Sequence, residues 1–261
     1  MSEHWLSRTA LLTGEQQLEK LAKAHVLQVG LGGVGAYSAE MLCRAGIGEL
    51  TLVDADKVSL TNLNRQLPAL HSTIGQSKVK VMEQRLLDIN PNLKVHCVEA
   101  FIRDERTEEL LAAAPYDYVV DAIDSLSPKV FLICQALQKG LKIVSVMGAG
   151  GKTDPGQVRI DDISRSSYCR LAKTVRKRLY RLGIRKGVQV VYSPEKVPEE
   201  AVVIDKDEAI NKLSTVGTIS YMPAVFGCFA ASAVIRDLMN LEFRCVTHVA
   251  PPNSSFLIPH S

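Results

Sequence analysis

The chain has 261 residues, 46% hydrophobic and 23% charged, which is ordinary globular usage and excludes a disordered or fibrous chain. The six cysteines (Cys43, Cys97, Cys134, Cys169, Cys228 and Cys245) occur singly, with no CxxC pair. This argues against a zinc site or disulfide framework and for a reducing, cytoplasmic compartment. The net charge of +3 is unevenly spread: nine of the 31 bases fall in residues 165–186 with no acid among them, so the other 22 face 28 acids.

The start of the chain, Met1-Ser2-Glu3-His4-Trp5, lacks the basic and then apolar run of a secretory leader. Residues 16–23 read as a short amphipathic helix, His25–Val29 as a buried strand, Gly33–Arg44 as a helix and Leu50–Val53 as a strand. Helices over Ser77–Ile89, Glu105–Ala113 and Pro128–Gln138 alternate with strands over Lys94–Val98, Tyr118–Asp121 and Lys142–Val146. This alternation predicts an α/β fold, Rossmann-like, with a mostly parallel sheet flanked by helices and its ligand at the carboxyl edge of the strands. After Gly148-Ala149-Gly150-Gly151 the pattern changes to a strand near Gln157–Ile160, a basic helix and a strand near Val188–Val191. The segment 193–212, with Pro194 and Pro198, reads as a mobile loop. From Gly217 to Ile235 no residue is charged, which is long enough to span a bilayer. Its Gly, Ser, Thr and Pro content favours a helix packed on the sheet over a membrane anchor. No internal repeat or linker divides the chain, so we expect a single domain, with residues 1–150 binding nucleotide and 151–261 forming a substrate-binding extension.

Gly30-Leu31-Gly32-Gly33-Val34-Gly35 follows the first strand and opens a helix. In this G-x-G-x-x-G, Gly30 permits the turn, Gly32 lets phosphate approach and Gly35 lets the helix pack, while amides at a helix start favour an anion. Asp54, just after the second strand, is placed to bond a ribose hydroxyl, and up to this point NAD, FAD and ATP all remain open. The polar run Asp54-Ala55-Asp56-Lys57-Val58-Ser59-Leu60-Thr61-Asn62-Leu63-Asn64-Arg65-Gln66 favours a triphosphate. Arg65 can neutralise phosphate oxygens, Asn62 can donate to them, and Lys78 can reach the same charge. Asp124 follows the fourth strand and can hold Mg²⁺; Asp56 is a second metal candidate, equally readable as a turn residue.

The glycine turn, the D-x-D-x-V-x-x-x-N-x-N-R-Q run, Lys78 and the D-x-x-D at Asp121–Asp124 together resemble the ubiquitin-activating superfamily over residues 5–150. The resemblance implies an enzyme that adenylates a carboxylate with ATP. It implies ribose contact by Asp54, phosphate contacts by Asn62, Arg65 and Lys78, and metal or adenylate support by Asp124. It also implies a homodimer in which Arg8 enters the partner subunit's ATP site.

Which carboxylate is adenylated depends on the second half. Cys169 is a weak thiolate candidate at the start of the basic helix, and Cys228 reads as inert core. In that helix Leu171, Val175, Leu179 and Leu182 form an apolar stripe, leaving Arg170, Lys173, Lys177 and Arg181 for a polyanion. Gly148–Pro155, Asp161–Ser164, Leu171–Leu182 and Val191–Glu195 are similar to the tRNA threonylcarbamoyladenosine dehydratase branch. That likeness implies tRNA as substrate, with a sulfur-relay protein as a further partner open to this branch. A cysteine that some members carry before the last long helix has no counterpart around Lys212. The rival readings are an activator of a ubiquitin-like sulfur carrier, a nucleotide-binding module without turnover, and a dehydrogenase.

Overall fold

A computed structural model describes residues 4–203 and 215–241. In chain order the elements are α1 (Ser7–Thr13), α2 (Glu15–Lys23), β1 (His25–Val29), α3 (Gly35–Arg44), β2 (Glu49–Val53), α4 (Lys78–Ile89), β3 (Lys94–Val98), α5 (Glu105–Ala112) and β4 (Tyr118–Asp121). There follow α6 (Leu126–Gln138), β5 (Ile143–Val146), β6 (Arg159–Asp162), α7 (Arg170–Arg181), β7 (Gln189–Tyr192), β8 (Val202–Val203), β9 (Thr215–Val216) and α8 (Tyr221–Leu238). The helices and strands expected from periodicity are present, with ends within two residues, and the helix expected in the uncharged stretch 217–235 is found as α8, shifted to Tyr221–Leu238. No periodic pattern announces α1, whose Leu11 and Leu12 are largely exposed.

Seven strands form one sheet in the order β3-β2-β1-β4-β5-β7-β6, all parallel except β6, which runs antiparallel to β7. The sheet therefore continues past residue 150 through β7 and β6. β1 and β4 are buried along their whole length because helices cover both faces. One core layer joins β1, β2 and β4 to α3, α4 and α8, and a second joins the other face to α5, α6 and α7.

α8 has the length and hydropathy of a membrane span, yet it lies on the sheet. It packs so closely on α3 that a Cβ at Gly227 would come within 2.5 Å of the Val34 carbonyl. Its Asp237 accepts a 2.7 Å hydrogen bond from the buried Tyr118 hydroxyl. Three expectations need correction. Cys228 is exposed on the outer side of α8 rather than in the core. Leu182 is 62% exposed where α7 ends, and the buried face of α7 is Ala172, Val175 and Leu179. The segment after Ser193 is not a bare loop: Val202–Val203 pairs with Thr215–Val216, and Glu195 is anchored as described below. Lys212 and Cys245 lie outside the described residues.

Candidate functional site

The site is built at the carboxyl ends of β1, β2 and β4. Gly30 donates to the Val53 carbonyl at 2.8 Å, and Ala122 donates to Val29 at 2.8 Å, so the glycine turn is held between the two neighbouring strands. Gly30 has φ +89°, and an added Cβ would lie 2.8 Å from the Ala122 oxygen. At Gly35 the added atom would lie 1.8 Å from the Gly30 oxygen, so no side chain is tolerated between turn and helix. Gly32 differs: the nearest atom to its added Cβ is Gln66 Nε2 at 3.9 Å, leaving room for a ligand against the backbone. Gly33 is packed under Arg65 and Pro223, with Arg65 Cγ 3.4 Å from its added Cβ.

Asp54 anchors the turn. Its Oδ2 accepts from the Leu31 amide at 2.6 Å and its Oδ1 from the Asp56 amide at 2.8 Å. Burial raises its pKa, against the lowering effects of the nearby Lys78 ammonium and the two amide donors. Lys78 is only 4% exposed and its Nζ pairs with Asp56 Oδ2 at 2.8 Å. Asp56 is therefore engaged with an ammonium, in competition with any metal. Asn62 is buried and its Oδ1 accepts from the Ser59 amide at 3.1 Å, closing the turn that carries the polar run. Arg65 donates to the Thr61 carbonyl at 2.9 Å and to Asn64 Oδ1 at 2.8 Å. Asn64 in turn donates to the Thr218 carbonyl at 3.0 Å, joining this run to the segment before α8.

On the β4 side, Asp121 is fully buried. Its Oδ1 accepts from the Ile123 amide at 3.0 Å and shapes the turn that leaves Asp124 exposed at the same sheet edge. Its Oδ2 pairs with Lys129 Nζ at 2.7 Å and accepts from Ser145 Oγ at 2.6 Å. Lys129 also donates to the Val146 carbonyl at 2.9 Å and has no exposed surface. Sequence reasoning did not find Lys129, since a lysine in a helix reads as solvated. It also assigned no role to Gln66, which stands beside Gly32.

The basic helix reaches this edge. Leu171 lies against Gly148, just past β5, and Arg178 donates to Ser127 Oγ at 2.8 Å, three residues beyond Asp124. Arg170, Lys173, Lys177 and Arg181 are all exposed. Cys169 is buried as the cap of α7, with Sγ accepting from the Ala172 amide at 3.5 Å. It adjoins a cavity of about 180 Å³ lined by Ser166, Tyr168, Arg170, Lys173 and Arg176. Nearby, the buried Lys152 Nζ donates to the Glu195 carbonyl oxygen, and the Glu195 carboxylate accepts from the Thr153 and Asp154 amides at 3.0 Å. Arg8 is not brought to the site of its own chain. α1 is anchored by Leu6 against Gly46, before the start of β2 and so at the opposite edge of the sheet.

A parallel sheet whose glycine turn is braced by an acid from the next strand, with a cationic residue over the turn and a carboxylate past β4, defines a nucleotide-binding α/β protein of the adenylating kind. The model of the ThiF family matches residues 6–255, and the chain belongs to that family. It is 40% identical over 242 residues to the tRNA threonylcarbamoyladenosine dehydratase of Bacillus subtilis, covering 90% of this chain and 95% of that protein. It is similar to the crystal structure of the Escherichia coli tRNA N6-threonylcarbamoyladenosine dehydratase in complex with ATP. That match has a TM-score of 0.82 and 35% identity and covers 92% of this chain and 96% of the other. Likeness to the Escherichia coli molybdopterin-synthase adenylyltransferase is 40% over 109 residues, only 42% of this chain and 43% of that one.

Proposed function

We propose that the protein is an ATP-dependent dehydratase that adenylates the threonine carboxylate of threonylcarbamoyladenosine in tRNA and promotes its cyclisation. The observation that carries this reading is full-length likeness to dehydratases, joined to the placement of an all-basic helix beside Asp124 at the nucleotide edge. The match to the molybdopterin-synthase adenylyltransferase, a sulfur-carrier activator, spans only 42% of this chain.

In this reading the open backbone at Gly32 and the first amides of α3 receive phosphate, and Asp54 receives the ribose. Arg65, released from Thr61 and Asn64, neutralises charge on the phosphates, as does Lys78 after exchange from Asp56. Asn62 keeps Oδ1 on the Ser59 amide and offers its amide donor. The substrate carboxylate attacks the α-phosphorus and pyrophosphate leaves. An atom of the ureido group then attacks the acyl carbon and gives up its proton, and AMP leaves as a five-membered ring closes. Both groups belong to one nucleoside, so the high effective molarity makes a covalent enzyme intermediate unnecessary. Asp124 suits Mg²⁺ because it is an exposed hard oxygen donor at the phosphate edge; bound there, the ion would neutralise phosphate charge. Arg170, Lys173, Lys177 and Arg181 hold tRNA phosphates. The working unit is a homodimer with Arg8 serving the partner's site, in the cytoplasm.

The test is mass analysis of the threonylcarbamoyl nucleoside in tRNA after incubation with the enzyme and ATP. Loss of one water per nucleoside, with AMP and pyrophosphate formed, is expected; an unchanged nucleoside overturns the reading. Arg65→Ala and Asp124→Ala should each reduce ATP–pyrophosphate exchange at least a hundredfold, on the order of one lost charge-stabilising contact, while remaining folded by circular dichroism.

A further inference from the structure

At the edge of the sheet opposite the nucleotide site, three parallel strands bring together His25, Glu49 and His96. His25 is in register with Glu49, and Thr51 with His96, so these side chains share one sheet face. His25 Nδ1 lies 3.5 Å from Glu49 Oε1, and His96 Nε2 lies 2.8 Å from the same oxygen. The three ligand atoms all fall within 4.8 Å of one another. A tetrahedral ion with bonds of about 2.0–2.2 Å asks for donor separations of about 3.3–3.6 Å, so the His25–Glu49 pair already fits and His96 would draw back slightly from its hydrogen bond to Glu49.

The surroundings are those of a ligand set. His25 Nε2 is held by Thr51 Oγ1 at 2.9 Å, and its ring packs edge-on against Tyr116 with centroids 4.7 Å apart. Its backbone amide donates to Asp117 Oδ2 at 2.8 Å. With the Nε2 hydrogen given to Thr51, Nδ1 turns a lone pair toward a carboxylate, an arrangement a cation between them would satisfy. The opposing group is Lys94, 4.0 Å from Glu49 Oε2, but its side chain is 74% exposed and can swing away. His96 is half exposed, which leaves the fourth coordination position to water.

We infer that His25, Glu49 and His96 form a binding site for a divalent transition ion of the zinc class, tying the edge strand β3 to the central strand β1. Two imidazoles and one carboxylate suit Zn²⁺ better than Mg²⁺ or Ca²⁺, which take oxygen ligands. The site is remote from the reaction: β1 runs five residues from His25 to the glycine turn, roughly 15 Å at about 3.3 Å per residue. Its effect is therefore on the sheet. The missing CxxC motif bears only on cysteine sites, and these three ligands sit on separate strands with no local spacing to reveal them.

The test uses the full, tag-free enzyme stripped with chelator and titrated with Co²⁺ and then Zn²⁺ without nucleotide. One Co²⁺ per chain with visible d–d bands and no near-ultraviolet thiolate band is expected, displaced by Zn²⁺. Zn²⁺ at a hundredfold excess over Kd should raise Tm by roughly 5–10 °C. Glu49→Gln and His96→Ala should each remove the bands and the Tm shift, with ATP–pyrophosphate exchange within twofold of the parent. Should Glu49→Gln fail to fold, the half-exposed His96→Ala decides alone. No stoichiometric binding, a thiolate band, or a site surviving His96→Ala would each overturn the proposal.

Discussion

Asp121 and Lys129 form an ion pair with no exposed surface on either side chain, and each charge is satisfied by further hydrogen bonds. Removing one partner leaves the other charge buried, so Lys129→Met should destabilise by about 3–5 kcal/mol. Adding Asp121→Asn to that variant should restore part of the loss, read by urea unfolding of all three proteins. Asp121 could be picked out because it opens a D-x-x-D after a strand; Lys129 could not, because nothing in the spacing distinguishes an inward lysine from a solvated one. Glu40 gives the pH counterpart. Burial raises its pKa, but hydrogen bonds and charge from Arg85 and Arg44 outweigh that and leave it lowered. A lowered carboxyl stabilises the fold above the ordinary glutamate pKa, and the contribution disappears as pH falls through the folded value. Glu40→Gln should therefore cost about 1–3 kcal/mol at pH 7, and the gap to the parent should close in acid. Equal gaps at pH 7 and pH 3 would contradict this.

At the scale of elements, α7 carries the substrate assignment. Its core face is Ala172, Val175 and Leu179, leaving the exposed Arg170, Lys173, Lys177 and Arg181 for an anionic partner. If all four meet phosphates, the log–log salt slope of tRNA binding should be roughly −3 to −4. Lys173→Glu with Lys177→Glu should weaken tRNA binding strongly and leave ATP affinity unchanged, as filter binding across a salt series will show. Alternation of strand and helix was sufficient to read β1 to β5, since each strand is a short stretch rich in Val, Ile and Leu separated from the next by a helical segment. It could not show that β7 inserts between β5 and β6, or that β6 runs backwards, because strand order is decided by pairing between distant segments. The same limit explains Leu182: periodicity extends a stripe past the point where Gly183, at φ +84°, ends the helix and turns the leucine outward.

For the whole molecule, the placement of Arg8 away from its own nucleotide edge gives a sharp test of the proposed dimer. Arg8→Ala and Asp124→Ala should each be inactive alone. Mixed and allowed to exchange subunits, they should recover about a quarter of parental activity, because half the dimers then hold one site with both residues; no recovery would place Arg8 in its own chain's chemistry or outside it. The polar run was legible as a cluster of polar groups beside the glycine turn, yet its attachment to the far half was not, since Asn64 meets Thr218 and Gly33 meets Pro223 only after folding. Those two contacts make the turn beneath the nucleotide and the start of α8 parts of one rigid support. If nucleotide engages Arg65 as proposed, a shift there is expected to reach Thr218 through Asn64, and a shift imposed on Thr218 by substrate to return by the same route. Thermodynamic reciprocity then requires that if ATP tightens tRNA binding by some factor, tRNA tightens ATP binding by that same factor. Asn64→Ala should bring both factors toward one together, turning two coupled ligands into independent ones.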